Sequence, residues 1–344
     1  MGIANFSKGI ASYGVPIYGA YIPPIMGTYY HVCPGSATII NTEGKQIVGS
    51  SGNSGLTPEE PLDSIVTAYG KCVSGAGDGI IVWGYGTSTA MNTSYLSSVL
   101  AWSKSFITMV GVTPPIATSQ RARIANASGS TTLANLITVS GNDNSFINLQ
   151  IGNWGSGAAA LGGVIVSGVR NYFGNVHFIG AGNTTPAQLT GSYSLDLQGA
   201  DECKFVDCTF GVDTVDADGS QAATGTIKFT SGCQTNEFVN CKILTYYSYA
   251  SAICGAVHHV GAGDSITRSQ LFKNCTFINF KTGLPTTTPP LSLVVGTAPN
   301  NGVILLDNCT MLGYAAYDGT AANDRVYVTT PASNATGGLA VVTA

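Results

Sequence analysis

The chain has 344 residues, of which 44% are hydrophobic and 9% are charged, and its net charge is −4. The hydrophobic share suffices for a core and argues against disorder, whereas the 14 scattered basic residues argue against a nucleic-acid partner. Apolar runs such as residues 161–169 are too short to cross a bilayer, so no membrane partner is expected either.

Residues 1–28 are rich in Gly, Pro and Tyr and show no sustained periodicity, which predicts an extended N-terminal arm. Several of its apolar side chains need a surface against which to be buried, among them Phe6, Ile10, Tyr13, Val15, Ile17 and Tyr18. Two interpretations stay open: the arm packs along its own chain, or it docks on a neighbouring subunit or a larger particle. The segment lacks the basic start and the uninterrupted apolar stretch of a secretory signal.

Residues 29–78 form an entry segment in which one helix is predicted. Residues 57–60 have the spacing of a capping box, and the apolar residues that follow fall at helical intervals: Leu62, Ile65, Val66, Tyr69 and Val73. A helix just before a stack of strands is expected to cover the open end of the stack. Gly77-Asp78-Gly79 then leads into a buried strand at residues 80–83, and a further strand is predicted at residues 106–112.

Residues 79–312 contain a repeat, which is clearest between Phe146 and Met311. Six times a large apolar residue is followed, after one intervening residue, by Asn or Asp and then by an aliphatic residue or Cys. Successive copies are 27, 32, 33, 34 and 34 residues apart, and each is followed two residues later by another apolar residue. The period is typical of a solenoid, and the alternation is that of a strand. The sequence therefore predicts an all-β fold, a right-handed parallel β-helix of about eight coils.

Equivalent residues of stacked coils lie above one another, so the repeat predicts three columns of side chains. The Phe column contains Phe146, Phe173, Phe205, Phe238, Phe272 and Leu306; the Asn column contains Asn148, Asn175, Asp207, Asn240, Asn274 and Asn308; the Cys column contains Leu149, Val176, Cys208, Cys241, Cys275 and Cys309. Asn and Asp tolerate left-handed backbone and therefore suit a bend. Four of the nine cysteines share one column, which favours buried, reduced thiols over a disulfide framework.

Residues 313–344 are predicted to form a strand-rich tail. One strand is expected at residues 325–328 and another at residues 339–342. A terminal tail of this kind is able to pair with a neighbouring subunit.

Three motifs near the N-terminus carry a family resemblance. They are residues 5–16 (NFSKGIASYGVP), 49–65 (GSSGNSGLTPEEPLDSI) and 77–84 (GDGIIVWG). In this order they resemble the start of β-helical virion structural proteins of tailed bacteriophages, a group that includes capsid decoration and tailspike-like proteins. The chain departs from the pattern where Ser51 and Ser54 replace Asp and where Trp83 stands in place of Pro.

The resemblance implies a non-enzymatic structural protein of a phage virion, namely a decoration protein on the capsid exterior. Residues 1–28 would attach it to the major capsid protein or to other virion proteins. It also implies association as a homotrimer, and the reduced cysteines agree with assembly in the host cytoplasm. No cofactor is expected, and the cysteines and histidines lack metal-site spacing.

Candidate catalytic residues are few. Polysaccharide-cleaving enzymes also use this fold, and glycoside hydrolysis needs two facing carboxylates. The best cluster is Asp213, Asp216 and Asp218, in a segment expected to project after a strand, although a solvated turn would have the same composition. His258 and His259, with Asp264 nearby, are adjacent in a predicted strand and point to opposite faces, which favours structural or surface roles over a shared site.

The alternative function is a tailspike or fibre protein that binds or cleaves polysaccharide. For cleavage, it requires the acidic cluster to form a groove with paired carboxylates. For binding, it requires exposed aromatic side chains along one flank, for which Tyr246, Tyr247 and Tyr249 are the candidates.

Overall fold

The computed structural model describes residues 27–34, 46–84, 93–120, 122–217, 224–247, 254–260, 265–280, 292–296, 302–314, 316–318 and 326–329, and the backbone of four further short strands. The entry elements are β1 (Ala11–Ser12), β2 (Val15–Pro16), β3 (Tyr29–Val32), β4 (Thr38–Ile40), β5 (Gln46–Val48), α1 (Ile65–Lys71) and β6 (Gly79–Trp83). Coils one to four contain β7 (Thr93–Leu96), β8 (Leu100–Trp102), β9 (Thr108–Val112), β10 (Arg123–Asn126), β11 (Ile137–Val139), β12 (Ser145–Ile147), β13 (Gln150–Asn153), β14 (Gly162–Val166), β15 (Tyr172–Gly174), β16 (His177–Ala181), α2 (Thr184–Ala187), β17 (Tyr193–Gln198) and β18 (Lys204–Val206). Coils five to eight contain β19 (Thr209–Phe210), β20 (Thr224–Ser231), β21 (Asn236–Val239), β22 (Lys242–Thr245), β23 (Cys254–His259), β24 (Ser269–Lys273), β25 (Thr276–Asn279), β26 (Ser292–Gly296), β27 (Val303–Asp307), β28 (Thr310–Leu312), β29 (Ala316–Asp318) and β30 (Val326–Thr329), and β31 (Ala340–Val341) follows them.

Strands in equivalent positions of successive coils pair side by side in three sheets. The first sheet has eight parallel strands, every third strand from β7 to β28, and the second has eight, every third strand from β8 to β29. The third sheet has 11 strands, every third strand from β3 to β30 with β31 antiparallel at its end. This topology confirms the predicted right-handed parallel β-helix, and the described strands belong to eight successive coils, each with one strand in each sheet.

The predicted Phe column is confirmed as an unbroken stack inside the coils. The successive ring centroids are 5.0, 4.8, 4.6 and 4.4 Å apart, and the ring planes lie within 7° of parallel, for Phe146, Phe173, Phe205, Phe238 and Phe272. Leu306 continues the column because it pairs in register with Phe272. All these side chains are buried, so the column combines apolar burial with favourable aromatic contacts along most of the solenoid.

The predicted Cys column is confirmed as well. Cys208, Cys241 and Cys275 are buried, and Cys309 is half-buried. Each Sγ lies 3.3 to 3.5 Å from the carbonyl oxygen of the Phe residue in the preceding coil. All nine cysteines are free thiols, as expected, and burial raises the pKa of Cys241 well above its ordinary value.

The predicted Asn column marks a bend at which the backbone is left-handed. Its six members have φ between 49° and 55°. Their amides bond along the column: Nδ2 of Asn175 donates to Oδ1 of Asn148 at 2.9 Å, and Nδ2 of Asn308 donates to Oδ1 of Asn274 at 2.8 Å. The short polar side chain therefore does two things here, since it permits the backbone conformation and ties adjacent coils together.

A second, interior amide column lies two residues before each Phe and was not predicted. Its described members are Asn144, Asn171, Cys203, Asn236 and Gln270, and all are buried. Side-chain oxygens of Asn144, Asn171 and Asn236 each accept a hydrogen bond at 2.9 Å from a backbone N–H of the preceding coil. The recurrence of Asn-x-Phe in the sequence was the signal for this column.

The entry helix α1 exists, but it begins later than predicted. Ser64 is its N-cap and accepts a hydrogen bond from the N–H of Val66, so the predicted start at residues 57–60 is wrong. The reason is Leu62, whose backbone bonds to that of His31 and Cys33 in extended conformation and keeps the chain out of the helix there. The predicted apolar face is wrong at Val66 and Val73, which are 47% and 62% exposed.

Helix α1 packs on β3 and β6, at the start of the third sheet. The ring of Tyr69 stacks on that of Trp102 at 4.4 Å, and Trp102 lies 4.9 Å from Phe146. Through Trp102 the helix thus contacts the first ring of the Phe column and covers the N-terminal end of the stack, as predicted. The strand predicted at residues 106–112 begins only at Thr108, because Phe106 has a φ of 60° and is 53% exposed.

Short strands are described at both chain ends. In the arm, β1 pairs antiparallel with β2. The arm residues Phe6, Ile10, Tyr13, Ile17 and Tyr18 lie outside the described residues, as does the side chain of Val15. In the tail, β30 pairs in parallel with β27 of the same chain, so the third sheet continues beyond residue 312. In the described part of the chain, no helix is long and apolar enough to span a bilayer.

Candidate functional site

The outer face of the first sheet carries a row of polar residues in register. Arg123, Gln150, His177 and Thr209 stand side by side in β10, β13, β16 and β19, and their neighbours in sequence point into the core. Gln150, His177 and Thr209 are nevertheless at most 3% exposed. Outward-facing polar groups of a sheet are buried only if something covers them.

The cover is the connection between β9 and β10, residues 113–120, here called the covering segment. The hydroxyl of Thr209 donates to the carbonyl of Ala117 at 2.7 Å, across 92 residues of sequence. The N–H of Ser119 donates to Nδ1 of His177 at 3.2 Å, and Nε2 of Gln120 donates to the carbonyl of Asn175 at 3.1 Å. The segment thus runs along the solenoid and shields the row from water.

His177 is held as a neutral imidazole in one tautomer. Since the N–H of Ser119 donates to Nδ1, this nitrogen is an acceptor, and the proton is on Nε2, which donates to the carbonyl of Gly211 at 2.9 Å. Gln150 also lies 3.1 Å from Nδ1, and its Oε1 accepts a hydrogen bond from Nε of Arg123. Burial lowers the pKa of His177. Both ring nitrogens are occupied, so His177 is a structural element of the row and is poorly placed to act as a general base.

The structure places one of the predicted catalytic acids beside this row. Asp213 is exposed and lines a cleft of about 330 Å³ together with His177, here called the His177 cleft. Among the described residues, Asp213 is the one carboxylate in its lining. Asp216 is half-buried and is not part of this lining, and Asp218 lies outside the described residues. The facing carboxylates that glycoside hydrolysis needs are therefore not formed in this cleft by the residues described.

A larger cleft, not anticipated from the sequence, lies towards the N-terminal coils on the same sheet. It has a volume of about 740 Å³ and is here called the Tyr95 cleft; Tyr95, Arg123 and Trp154 are among its lining residues. Arg123 and Trp154 also line the His177 cleft, so the two clefts adjoin. The three residues are far apart in sequence and are brought together only by the register of β7, β10 and β13.

The row of exposed tyrosines that the sugar-binding alternative requires is not formed at Tyr247. This residue is 6% exposed and belongs to the hydrophobic core, where its backbone N–H and carbonyl bond to the side chain of Asn279 at 3.1 and 2.9 Å. Tyr246 is half-buried, and Tyr249 lies outside the described residues. The Asn279 amide fixes the backbone after β22, which draws Tyr247 inwards.

His258 and His259 are both 4% exposed, in agreement with structural roles. Burial, with smaller contributions from His259 and Lys228, lowers the pKa of His258 to about 4. Lys228 is itself paired with Asp196 at 3.6 Å, and Asp264 lies outside the described residues. The described part of the chain contains no cluster of His, Cys, Asp and Glu that is suited to a metal ion.

No protein-family model and no curated protein matches the chain in sequence. Among solved structures, pectate lyase Pel9A is similar over 90% of this chain and 82% of its own, with a TM-score of 0.51 and 12% identity. Pectin methylesterase PemA from Erwinia chrysanthemi covers 78% of this chain and 90% of its own, with a TM-score of 0.43 and 15% identity. ORF18 of Geobacillus virus E2 covers 72% of this chain and 57% of its own, with a TM-score of 0.24 and 11% identity. The likeness to the pectate lyase supports the right-handed parallel β-helix and, at this identity, concerns the fold alone.

Proposed function

We propose that the chain is a non-enzymatic structural protein of a tailed-phage virion, a capsid decoration protein that residues 1–28 attach to the shell. The three N-terminal motifs resemble those of tailed-phage virion proteins, and this resemblance supports the assignment to a phage virion. The β-helix supplies a rigid body, since its core is one stack from Tyr69 to Leu306. Association as a homotrimer is part of the proposal, because a trimer suits the three-fold positions of a capsid.

The observation that carries the non-enzymatic part is the state of His177. It is the histidine on the exposed side of the first sheet, next to the acid Asp213, and would be the natural general base there. Its two nitrogens are instead used to anchor the covering segment and Gly211. The imidazole that could act as a general base is thus used to stabilise the fold.

Electron microscopy tests the location. Gold-labelled antibody against the chain is applied to particles of the phage that encodes it, and label on the capsid shell is expected. Label confined to the tail would favour the tailspike or fibre alternative, and particles without label would overturn the virion assignment.

A deletion tests the attachment. Protein that lacks residues 1–28 should keep its melting transition but fail to co-sediment with particles, whereas full-length protein with Phe280→Ala, an exposed site on a coil, should co-sediment normally. Normal incorporation of the folded deletion variant would refute the role of the arm.

A product assay tests the absence of activity. Pectin is the first substrate to try, because the similar structures include a pectate lyase and pectin methylesterases. We expect no unsaturated product, no new reducing ends and no methanol. Any of these products, if abolished by Asp213→Asn, would replace the decoration proposal with the enzymatic alternative.

A further inference from the structure

The Tyr95 cleft is built on a trough in the first sheet. In register across the sheet, Tyr95 of β7 is followed by Ala125 of β10 and then by Gly152 of β13. Neighbouring strands are about 4.8 Å apart, so Tyr95 and Gly152 stand roughly 10 Å apart, with only the small side chain of Ala125 between them. Tyr95 is 63% exposed, so its ring is open to solvent on this side of the cleft.

Trp154 is fixed on the far side of this trough. Its backbone N–H donates to Oδ1 of Asn126 at 2.8 Å. Its indole lies directly on the backbone, since a Cβ atom at Gly152 would come within 2.6 Å of the ring and one at Gly182 within 2.9 Å. A larger residue at either position would displace the indole, so both positions require glycine. The indole is therefore fixed in place before any ligand binds.

Arg123 completes the wall of the cleft. Its guanidinium carbon lies 5.3 Å from the centroid of the Trp154 ring, and its Nε donates to Gln150. Gln150 in turn contacts His177 under the covering segment. The hydrogen bond to Gln150 thus positions the guanidinium of Arg123, and the contact between this guanidinium and the ring of Trp154 helps to fix the indole.

We propose that the Tyr95 cleft binds an oligosaccharide built of pyranose rings. Sugar rings have an apolar face that packs on aromatic side chains, and this cleft presents Tyr95 and Trp154 on either side of Ala125. The hydroxyls of Ser128 and Thr131, at the rim, supply hydrogen-bonding groups for sugar hydroxyls. Because Arg123 is engaged with Trp154 and Gln150, recognition depends mainly on ring packing and only weakly on charge.

This inference does not depend on where in a virion the chain is located, and its test is separate from the particle experiments. The probe is an array of bacterial capsular and O-antigen oligosaccharides, with the wild-type protein and the variants Tyr95→Ala, Trp154→Ala and Trp154→Phe. Phe280→Ala is the matched control, because Phe280 is an exposed aromatic residue outside the cleft.

The wild type is expected to bind at least one sugar on the array. Affinity should fall roughly tenfold or more in Tyr95→Ala and Trp154→Ala, fall less in Trp154→Phe, and stay unchanged in Phe280→Ala. High salt should change it little. Tyr95 is exposed, so its variant keeps the test valid even if Trp154→Ala fails to fold. The proposal would be overturned by no binding to any sugar, or by binding that Tyr95→Ala leaves intact.

Discussion

The ammonium group of Lys104 lies 2.6 Å from the carbonyl oxygen of Cys72. It also lies 2.7 Å from the carbonyl of Tyr69 and 3.0 Å from that of Gly70. The last carbonyls of a helix have no partner within the helix, and a cation there is favourable. Lys104 follows the strand β8 and so belongs to the first coil of the solenoid. The first coil therefore caps helix α1, and helix α1 in turn covers the end of the solenoid.

Replacing Lys104 by Met should therefore weaken the closed end of the stack. Loss of hydrogen bonds from a charged donor to three carbonyls, two of them in partly buried bonds, is expected to lower the free energy of unfolding by about 2–3 kcal/mol. The measurement is urea denaturation followed by circular dichroism. Lys71→Met is the control, because Lys71 is exposed in the same helix, and its effect should stay within about 0.5 kcal/mol. Equal effects of the two substitutions would contradict the capping role.

The Phe column makes a stronger prediction. Phe238 is fully buried and stacks on Phe205 and Phe272 at 4.6 and 4.4 Å. Phe238→Ala should cost about 3–5 kcal/mol, because the cavity cannot close between coils held by backbone hydrogen bonds. The exposed Phe280→Ala should cost less than about 0.5 kcal/mol in the same denaturation experiment. A small loss in Phe238→Ala would mean that the column is not the main support of the solenoid.

The part of the fold that the sequence predicts is the part in which one rule repeats. The Phe, Asn and Cys columns are predictable because the same residue type returns at the same point of each coil, and the stacking of coils converts that recurrence into contact. The N-cap of helix α1, in contrast, was predicted at the wrong residues. Residues 57–60 have the right spacing, but the backbone bonds of Leu62 to His31 and Cys33 are long-range and leave no trace in the sequence.

The candidate site was largely unpredictable because it obeys no repeat. Arg123, Gln150, His177 and Thr209 are equivalent positions occupied by four different residue types. The covering segment reaches Thr209 from residue 117, a contact that only the three-dimensional stack creates. Tyr95 and Trp154 likewise come together through register alone. Asp213 was identified from composition, whereas the occupied state of His177 depends on hydrogen bonds from distant segments.

The left-handed bend at the Asn column can be tested at Asn274, which has a φ of 53°. Asn274→Ala loses the amide that bonds to Asn308 at 2.8 Å and also places an unfavourable residue in left-handed backbone, so a loss of about 2 kcal/mol is expected. Asn274→Gly loses the same amide but adopts this backbone readily, and should be the milder change. Urea denaturation of the pair separates the two contributions. If Gly were as harmful as Ala, the backbone conformation would not be the reason for Asn at this position.

The reduced state of the cysteines has a direct chemical test. All nine thiols are free, and burial raises the pKa of Cys203 and Cys233 to about 12. Thiolate is the reactive form, so a thiol reagent at pH 8 should react slowly with the native protein. In urea without reductant the same reagent should titrate nine thiols. A much lower count in urea would indicate disulfides and contradict the column of free thiols.

Acid should destabilise the protein in part through His258. Burial, and to a lesser degree His259 and Lys228, lowers its pKa from 6.5 to about 4 in the folded state. The unfolded state therefore binds a proton first as the pH falls, so the stability due to neutral His258 is fully present above pH 6.5 and is lost as the pH falls through about 4. Over this interval the wild type should lose up to about 3 kcal/mol more than His258→Gln, as measured by urea denaturation at a series of pH values. His177 remains in both proteins, so its own titration cancels in the comparison. Parallel pH profiles for the two proteins would show that His258 has the same pKa in the folded and unfolded states, which would contradict the prediction.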